Sequence, residues 1–527
     1  MRRKGKLDEA NSLSLKIGKK ISDVVATHLS NVSCKDTKTL WASVHSASGR
    51  SKYRQSIAER LGPPFNDVNA INNHFTTIAT DPDYDIERVN EMIQTVPNND
   101  LPLYNIYEYE VFLLFTSIKK TSPGPDKLPY WFFRYAAAEL TPVVTHLIRL
   151  TLSNGTPPEA WKRAVITPVP KVTSPQNLSD LRLISVTPIL SRLVEKFIAR
   201  KYLTPALPTK LLEDQYAYRP TGSTTAALVD ISHHITLMLE TNTYVKCILI
   251  DYSKAFGTIN HEILFAKLRT LSIPQLMKIM NFLTGRTQAV VTEKTTSNWL
   301  PISRSIVQGS GLGPMLFVVY ALDLKPVSMR NRIIKYADDT TLLVAEKSSV
   351  DVATEFGHPE DWSRRNKLTI NKDKTVEIIF RRPKSSHFLT PAPLLCISQV
   401  DEVKLLGVYL TNTFSYTAHV NHLLTIGSQR LFLLSQLKNQ GLALDNLHIV
   451  YQAIIQSKII YALPAFAGQL TAMDITRVGA LARKAKRHGL AKTIPTMLEI
   501  IEDHDESLLK RMQDPSHCLH HLLPSTA

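Results

Sequence analysis

The residues in this sequence best suited to metal-dependent chemistry are two adjacent aspartates, Asp338 and Asp339. They interrupt an apolar, β-branched segment, RIIKYADDTTLLVA, that runs from residue 332 to 345. The pattern predicts two short strands, 333–337 and 340–344, with the aspartates at the tip of a hairpin. Aspartate is also a common turn residue with a purely solubilising role. Two like charges between apolar strands are costly, however, unless a cation with oxygen ligands neutralises them.

A third aspartate, Asp251, ends another β-prone run, in the segment KCILIDYSKAF at 246–256. Alone, it would serve equally well as the end of a strand or as a helix cap. Together, a strand-end aspartate and a hairpin-tip pair are the minimum set for holding two Mg²⁺ ions, which activate a 3′-hydroxyl group and stabilise a leaving pyrophosphate. We therefore expect Asp251, Asp338 and Asp339 to converge on one site.

The composition favours a polyanionic partner. The 527 residues include 62 Lys and Arg against 46 Asp and Glu, which gives a formal net charge of +16 and a pI near 9.5. Such a balance suits phosphate neutralisation in nucleic acid, although a generically basic protein is the alternative. No apolar run has the length of a membrane span, and no secretory signal follows the basic N-terminus. The four cysteines lack metal-ligand spacing, so we expect a reducing compartment, the nucleus or cytoplasm: Cys34, Cys247, Cys396 and Cys518.

The motifs YADD, IDYSKAF and QGSGLGPMLF together resemble the palm of a reverse transcriptase of the non-LTR (LINE-type, jockey-like) retrotransposons. Further blocks follow the family's order from Lys119 to the C-terminus, and an ordered set of blocks is far more specific than one motif. These blocks are SPGPDKLPYWFFR, WKRAVITPVPK, SDLRLISVTPILSRLVEK, DQYAYRPTGSTTAAL, NFLTGRTQAV, NKLTINKDKTVEIIF, KLLGVYL and the tail DPSHCLHHLLP.

The resemblance implies an RNA-directed DNA polymerase with an α+β, right-hand polymerase fold of fingers, palm and thumb, and with helical N- and C-terminal extensions. We expect a helical and linker region at 1–118, fingers and palm at 119–385, and a thumb-like helical region at 386–527. Family members usually carry an endonuclease domain upstream, and we expect this chain to lack it. The implied partners are an RNA template, a DNA primer and deoxynucleoside triphosphates. The implied cofactor is a pair of Mg²⁺ ions, with Mn²⁺ as the alternative.

The resemblance also assigns roles outside the aspartates. Lys171 and Arg182 would meet the incoming triphosphate, and Lys374 would act as a general acid for the departing pyrophosphate. Phe256 would lie against the sugar and reject a 2′-hydroxyl group. Gln308 and Gly309, in the glycine-rich block, would shape the pocket for the new base pair. The alternatives are surface cations, a solvated turn, a core aromatic residue and a structural glycine turn.

The sequence departs from the family pattern at five positions. Gly257 stands where AFD is usual, Leu183 replaces the proline of RPIS, and Gly311 occupies a position that is often aliphatic. Thr411 and Tyr416 replace an Asp and a Trp after the LGVYL block. Because of these departures, the alternative function is that of a catalytically impaired, nucleic-acid-binding relic of the same fold. An RNA-templated polymerase or maturase of another lineage is disfavoured by the C-terminal blocks.

Overall fold

The computed structural model describes residues 7–30, 36–47, 62, 64–95, 105–271, 273, 276–292, 295–307, 309–383 and 388–524. The predicted residue Gln308 lies outside these ranges. The α-helices are α1 Leu7–Ser30, α2 Thr37–Ala47, α3 Val68–Ala79, α4 Ile86–Gln94, α5 Glu108–Thr116, α6 Tyr130–Tyr135, α7 Ala137–Asn154, α8 Ile189–Ile198, α9 Thr224–Thr241, α10 His261–Arg269, α11 Leu276–Asn281, α12 Gly313–Tyr320, α13 Val352–Arg365, α14 Thr417–Asn439, α15 Leu444–Tyr451, α16 Ser457–Ile459, α17 Ala472–Arg487 and α18 Met497–Met512.

The strands form two larger sheets and one two-stranded ribbon among the described residues. Four strands pair in the order β2-β1-β4-β5, five in the order β6-β7-β3-β8-β9, and β10 pairs with β11. Their bounds are β1 Arg163–Pro170, β2 Leu181–Val186, β3 Tyr244–Ile250, β4 Arg286–Val290, β5 Leu300–Ile302, β6 Arg332–Tyr336, β7 Asp339–Ala345, β8 Val376–Arg381, β9 Ser398–Val400, β10 Glu402–Leu405 and β11 Val408–Thr411.

The five-stranded sheet, the palm, lies between two hydrophobic cores. Ile248 and Leu342 pack into one core, while their strand neighbours Cys247 and Leu343 pack into the other. Successive side chains point to opposite faces of a strand, so a strand that is buried on both faces must be apolar throughout. This explains the continuous apolar runs of β3 and β7. The hairpin and the strand before Asp251, both predicted from the sequence, are confirmed.

The four-stranded sheet, the fingers, carries the predicted cationic strand. β1 pairs antiparallel with β2 and parallel with β4. Val169 pairs with Arg182, and the amide of Lys171 donates a hydrogen bond to the carbonyl of Asp180 over 2.7 Å. The strand register therefore brings Lys171 and Arg182, which are eleven positions apart in the sequence, to the same end of this sheet.

Helices make up most of the described chain before the first strand, β1, and after the last strand, β11. The predicted N-terminal helices are confirmed as α1 and α2. The predicted C-terminal helices are confirmed as α14 and α15, which pack with α17 and α18 on the second core. The sheets are mostly antiparallel, with helices before, between and after their strands, and the fold is α+β, as expected. The division at residues 118 and 385 stays a prediction. No helix of the described residues combines the length and apolar character needed to cross a bilayer.

Candidate active site

The strand register brings the three aspartates together. Ile250 pairs with Thr340 across β3 and β7, so Asp251 and Asp339 occupy the next opposed positions. Tyr336 pairs with Asp339 across β6 and β7, which leaves a two-residue turn of Ala337 and Asp338. Opposed residues on antiparallel strands have neighbouring Cβ atoms. Asp251 and Asp339 are therefore neighbours, with Asp338 at the tip of the adjoining turn.

Electrostatics shows that these carboxyl groups act on one another. Burial raises the pKa of Asp338, and the charge of Asp251 raises it further, while Arg182 opposes this rise. Partial burial, followed by the charges of Asp338 and Asp251, raises the pKa of Asp339 to about 6, although the residue keeps access to solvent. Like charges close together disfavour joint ionisation. The site therefore concentrates negative charge that a cation would relieve.

The donor set fits a hard divalent cation, although it is not closed by protein side chains alone. Within the described ranges, no group of three or more His, Cys, Asp or Glu side chains is arranged to hold a metal ion. Mg²⁺ is usually bound in phosphate-processing sites by only one or two carboxylates, with substrate phosphates and water as the other ligands. The carboxylates of Asp251 and Asp338 can supply these two protein ligands.

The main chain of Asp251 is fixed by the turn that carries Lys374. The amide of Asp251 donates to Thr375 Oγ1 over 3.2 Å, and its carbonyl accepts from the amide of Asn371 over 2.8 Å. Lys374 lies between these two partners in the sequence. Its neighbour Lys372 is turned to a different use, since it pairs with Glu360 at 2.7 Å. The structure thus brings Lys374 to the side of the site where Asp251 lies.

Four cations converge on this site from separate elements. Burial lowers the pKa of Lys171, and the charges of Lys254, Lys374 and Arg182 lower it further. Arg182 in turn acts on the carboxyl group of Asp338. Clustered cations facing an acidic centre suit a triphosphate that bridges them through a metal ion.

Two members of the site were missed by the sequence reasoning. Lys254 has a left-handed conformation at φ 53°, and burial lowers its pKa. His74 lies near Lys254 and Lys171, which reinforce the lowering of its pKa by burial. A cation three residues after Asp251 was a visible signal for Lys254. His74 had no comparable signal, because its position depends on how α3 packs on the fingers sheet.

Phe256 and Gly309 occupy defined positions through contacts with Phe317 and Ser185. The ring of Phe256 is half-buried and stacks on Phe317, with centroids 4.6 Å apart and planes inclined by 21°. Gly309 has φ 112°, and a Cβ there would lie 2.5 Å from the carbonyl oxygen of Ser185. Only glycine fits this close approach between the glycine-rich block and the end of β2. Phe256 thus has a packing role, and the sugar contact that the family resemblance implies stays a prediction.

Three of the five departures from the family pattern are accommodated by their local structure. Tyr416 is buried, and its hydroxyl group shares a 2.9 Å hydrogen bond with Ser232. Gly311 approaches α8 so closely that a Cβ would lie 2.5 Å from the amide nitrogen of Lys196. The amide of Gly257 donates to the carbonyl of Lys254 over 2.8 Å, which closes a 3₁₀ turn.

Comparisons with known proteins agree with this architecture. Residues 169–410 match the family described as reverse transcriptase (RNA-dependent DNA polymerase). The RNA-directed DNA polymerase from mobile element jockey of Drosophila melanogaster is 25% identical over 416 residues, which are 76% of this chain and 45% of that protein. The probable RNA-directed DNA polymerase from transposon X-element of the same species is 24% identical, over 76% of this chain and 46% of that protein.

A Pol polyprotein from a type-1 R2 retrotransposable element of Popillia japonica is 25% identical, over 57% of this chain and 43% of that protein. Among solved structures, apo telomerase from Candida tropicalis aligns with 49% of this chain and 55% of that chain, at a TM-score of 0.33 and 12% identity, which is only a partial likeness. The chain spans slightly under half the length of the curated relatives that it matches. The family resemblance of the motifs is confirmed: residues 169–410 match the reverse transcriptase family, and the chain is similar to the RNA-directed DNA polymerases of jockey and the X-element over 76% of its length.

Proposed function

We propose that this chain is an RNA-directed DNA polymerase, which adds deoxynucleotides to the 3′ end of a primer along an RNA template. The observation that carries the proposal is the strand register that makes Asp251, Asp338 and Asp339 neighbours. The pKa values of Asp338 and Asp339, raised by burial and then by neighbouring aspartates, support a shared site for divalent cations. The four cations described above support an anionic, phosphate-bearing substrate on the facing side.

In the proposed reaction, the 3′-hydroxyl oxygen of the primer attacks the α-phosphorus of the nucleotide, the proton of the hydroxyl group passes to solvent water, and the bond to the bridging oxygen of pyrophosphate breaks. Asp251 and Asp338 would hold the divalent cations, Mg²⁺ or alternatively Mn²⁺, and Asp339 would assist. Bound there, such ions lower the barrier to deprotonation of the hydroxyl group and stabilise the leaving group. The protein residues then have separable tasks: binding, orientation and proton supply.

The cations bind and orient the triphosphate. Lys171, Arg182 and Lys254 neutralise its charge, because lysine supplies a point charge and arginine a forked pair of donors for phosphate oxygens. Lys374 donates a proton to the pyrophosphate as it leaves. Phe256 stands against the sugar and disfavours ribonucleotides by steric exclusion, while Gly309 leaves room for the new base pair. A nuclear or cytoplasmic location stays a prediction from the sequence.

Primer extension tests the proposal. The purified chain is incubated with a labelled DNA primer on an RNA template, four deoxynucleoside triphosphates and Mg²⁺. We expect extended products, their loss when the metal is chelated, and much weaker incorporation of ribonucleotides. Replacing Phe256 by alanine should relax the discrimination against ribonucleotides. A chain that binds the primer–template but never extends it would instead favour the relic.

A further inference from the structure

The turn that carries Asp338 is held from outside its own hairpin, by the segment 214–217. The amide of Lys335 donates to the carbonyl of Asp214 over 2.6 Å, and the amide of Tyr216 donates to the carbonyl of Lys335 over 2.9 Å. This pairing forms a short parallel bridge along β6. The buried Lys335 Nζ also lies 3.1 Å from the Asp214 carboxylate. The segment is therefore fixed to the strand that leads into the catalytic turn.

Gln215 extends this attachment to the turn itself. Its side chain is 1% exposed, and Oε1 accepts hydrogen bonds from the amides of Ala337 over 3.2 Å and Ala217 over 2.9 Å. Ala337 is buried and has φ 57°, in the left-handed region that an alanine adopts at a cost. A buried amide also needs a partner. Gln215 supplies that partner to the strained residue directly before Asp338.

Two further observations concern Gln215 and the residues that follow it, and the first indicates that Gln215 serves through its acceptor oxygen. Gln215 Nε2 is buried without a hydrogen-bond partner among the described residues, and burying an unpaired donor is unfavourable. Ala217, which shares the same oxygen, is followed by Tyr218, itself left-handed at φ 59°. Burial and the charge of Asp338 raise the pKa of Tyr218, so the segment meets the site a second time.

We propose that Gln215 is a positioning residue of the active site. Its side-chain oxygen holds Ala337 in the left-handed conformation and thereby sets where the Asp338 carboxylate lies. Gln215 acts through the backbone of the turn and touches neither the nucleotide nor the metal. The catalytic consequence rests on the function proposed above, whereas the effect on the turn does not.

The test compares two buried glutamines that receive the same substitution. Gln215→Met removes the acceptor and keeps much of the volume. Gln288→Met is the matched control, because Gln288 is buried in the fingers sheet and donates to Asn72 and Thr76. Gln215→Asn keeps the amide but withdraws it by one methylene. Each protein is measured for hydrogen exchange of the peptide 332–345, for Mn²⁺ affinity by electron paramagnetic resonance, and for turnover in primer extension.

We expect Gln215→Met to speed exchange in the peptide, to weaken Mn²⁺ binding, and to lower turnover by about tenfold to a hundredfold, the loss typical of a misplacement near 1 Å. Gln215→Asn should move all three in the same direction, and it decides the question if Gln215→Met does not fold. Gln288→Met should leave peptide exchange and Mn²⁺ affinity within about twofold of the parent, even if it lowers the melting temperature.

The proposal is overturned if peptide exchange and Mn²⁺ affinity are unchanged in the Gln215 variants, or if Gln288→Met reproduces their losses. A parent chain without extension activity would defeat the proposed function. The exchange and Mn²⁺ measurements would still decide the role of Gln215 in that case, because neither depends on turnover.

Discussion

The carboxyl group of Asp339 links the acidity of the site to the stability of the fold. Its pKa is raised from 3.8 to about 6 by burial and by two neighbouring aspartates. The folded chain therefore keeps this proton over a range in which the unfolded chain has lost it. The contribution of this group to stability is present below pH 3.8, falls as the pH rises to about 6, and is lost above that window.

Asp339→Asn should consequently stabilise the chain at pH 7 without divalent metal, since it removes a charge repelled by Asp338 and Asp251. The gain should shrink at pH 4, where the carboxyl group is protonated in the folded chain. Thermal unfolding at both pH values measures this. Asp503→Asn is the control, because the Asp503 side chain is 84% exposed. An Asp339→Asn protein no more stable than the parent at pH 7 would show that the three carboxylates do not repel one another.

Gly257 bears on the activity of this particular chain. Its backbone does not require glycine, and a Cβ there would meet only Ile78 Cγ2, at 3.4 Å. A side chain should therefore fit at this position. It should also restrict the backbone of the turn that follows Asp251. We expect weak, Mg²⁺-dependent polymerisation by the parent and severalfold faster extension by Gly257→Asp. Gly468→Asp, at another open position, is the control. Equal rates for all three proteins would remove Gly257 as a cause of impairment.

At the scale of elements, the C-terminal segment 514–524 contacts both α9 and the loop that precedes it. The amide of Cys518 donates to Thr221 Oγ1 over 2.9 Å, and His521 Nε2 lies 3.3 Å from Asp230 Oδ1. Asp230 is buried, which would raise its pKa, but its hydrogen bonds to His234 and His521 hold the pKa well below the usual range. Leu519, fully buried, joins the same core as α9.

Deleting residues 514–527 should lower the melting temperature by a few degrees or more, because it uncovers Leu519 and leaves Asp230 with one histidine. The matched variant His520→Ala removes a histidine of the same segment that bonds only to a backbone carbonyl, Met512 O. It should cost much less. A deletion as stable as the parent would show that the segment does not brace α9.

The elements were largely predictable, while their meeting points were not. The segment around Cys247 was predictable as a strand because it is a continuous run of β-prone, apolar residues. Asp338 was predictable as part of a hairpin tip because polar residues interrupt an apolar run there. The contact between Gln215 and Ala337 depends instead on a non-local bridge between 214–217 and β6. No periodicity in the sequence records such a pairing, and the same holds for His74 beside Lys254.

The whole molecule carries its excess positive charge partly on the last turns of α17. Arg483, Lys484, Lys486 and Arg487 are exposed there and follow one another closely along the helix. If these cations contact a nucleic-acid backbone, each phosphate contact releases counterions and adds about one unit to the salt dependence of affinity.

Replacing Lys486 and Arg487 by glutamine should therefore weaken primer–template binding and reduce the slope of log affinity against log salt by about two. A salt titration of binding measures the slope. The control replaces Lys510 and Arg511 by glutamine, because these are two exposed cations at the end of α18. Parent affinity that stays flat across the titration would argue against nucleic acid as the partner.

In the proposed function, the three aspartates act together as one polymerase centre. The decisive measurement is primer extension on an RNA template by the parent, Asp251→Asn and Asp338→Asn, with Asp503→Asn as control and with binding measured in parallel. The account predicts that both site variants lose extension by about a thousandfold or more while still binding primer–template. Extension by either site variant at the parent's rate would contradict it.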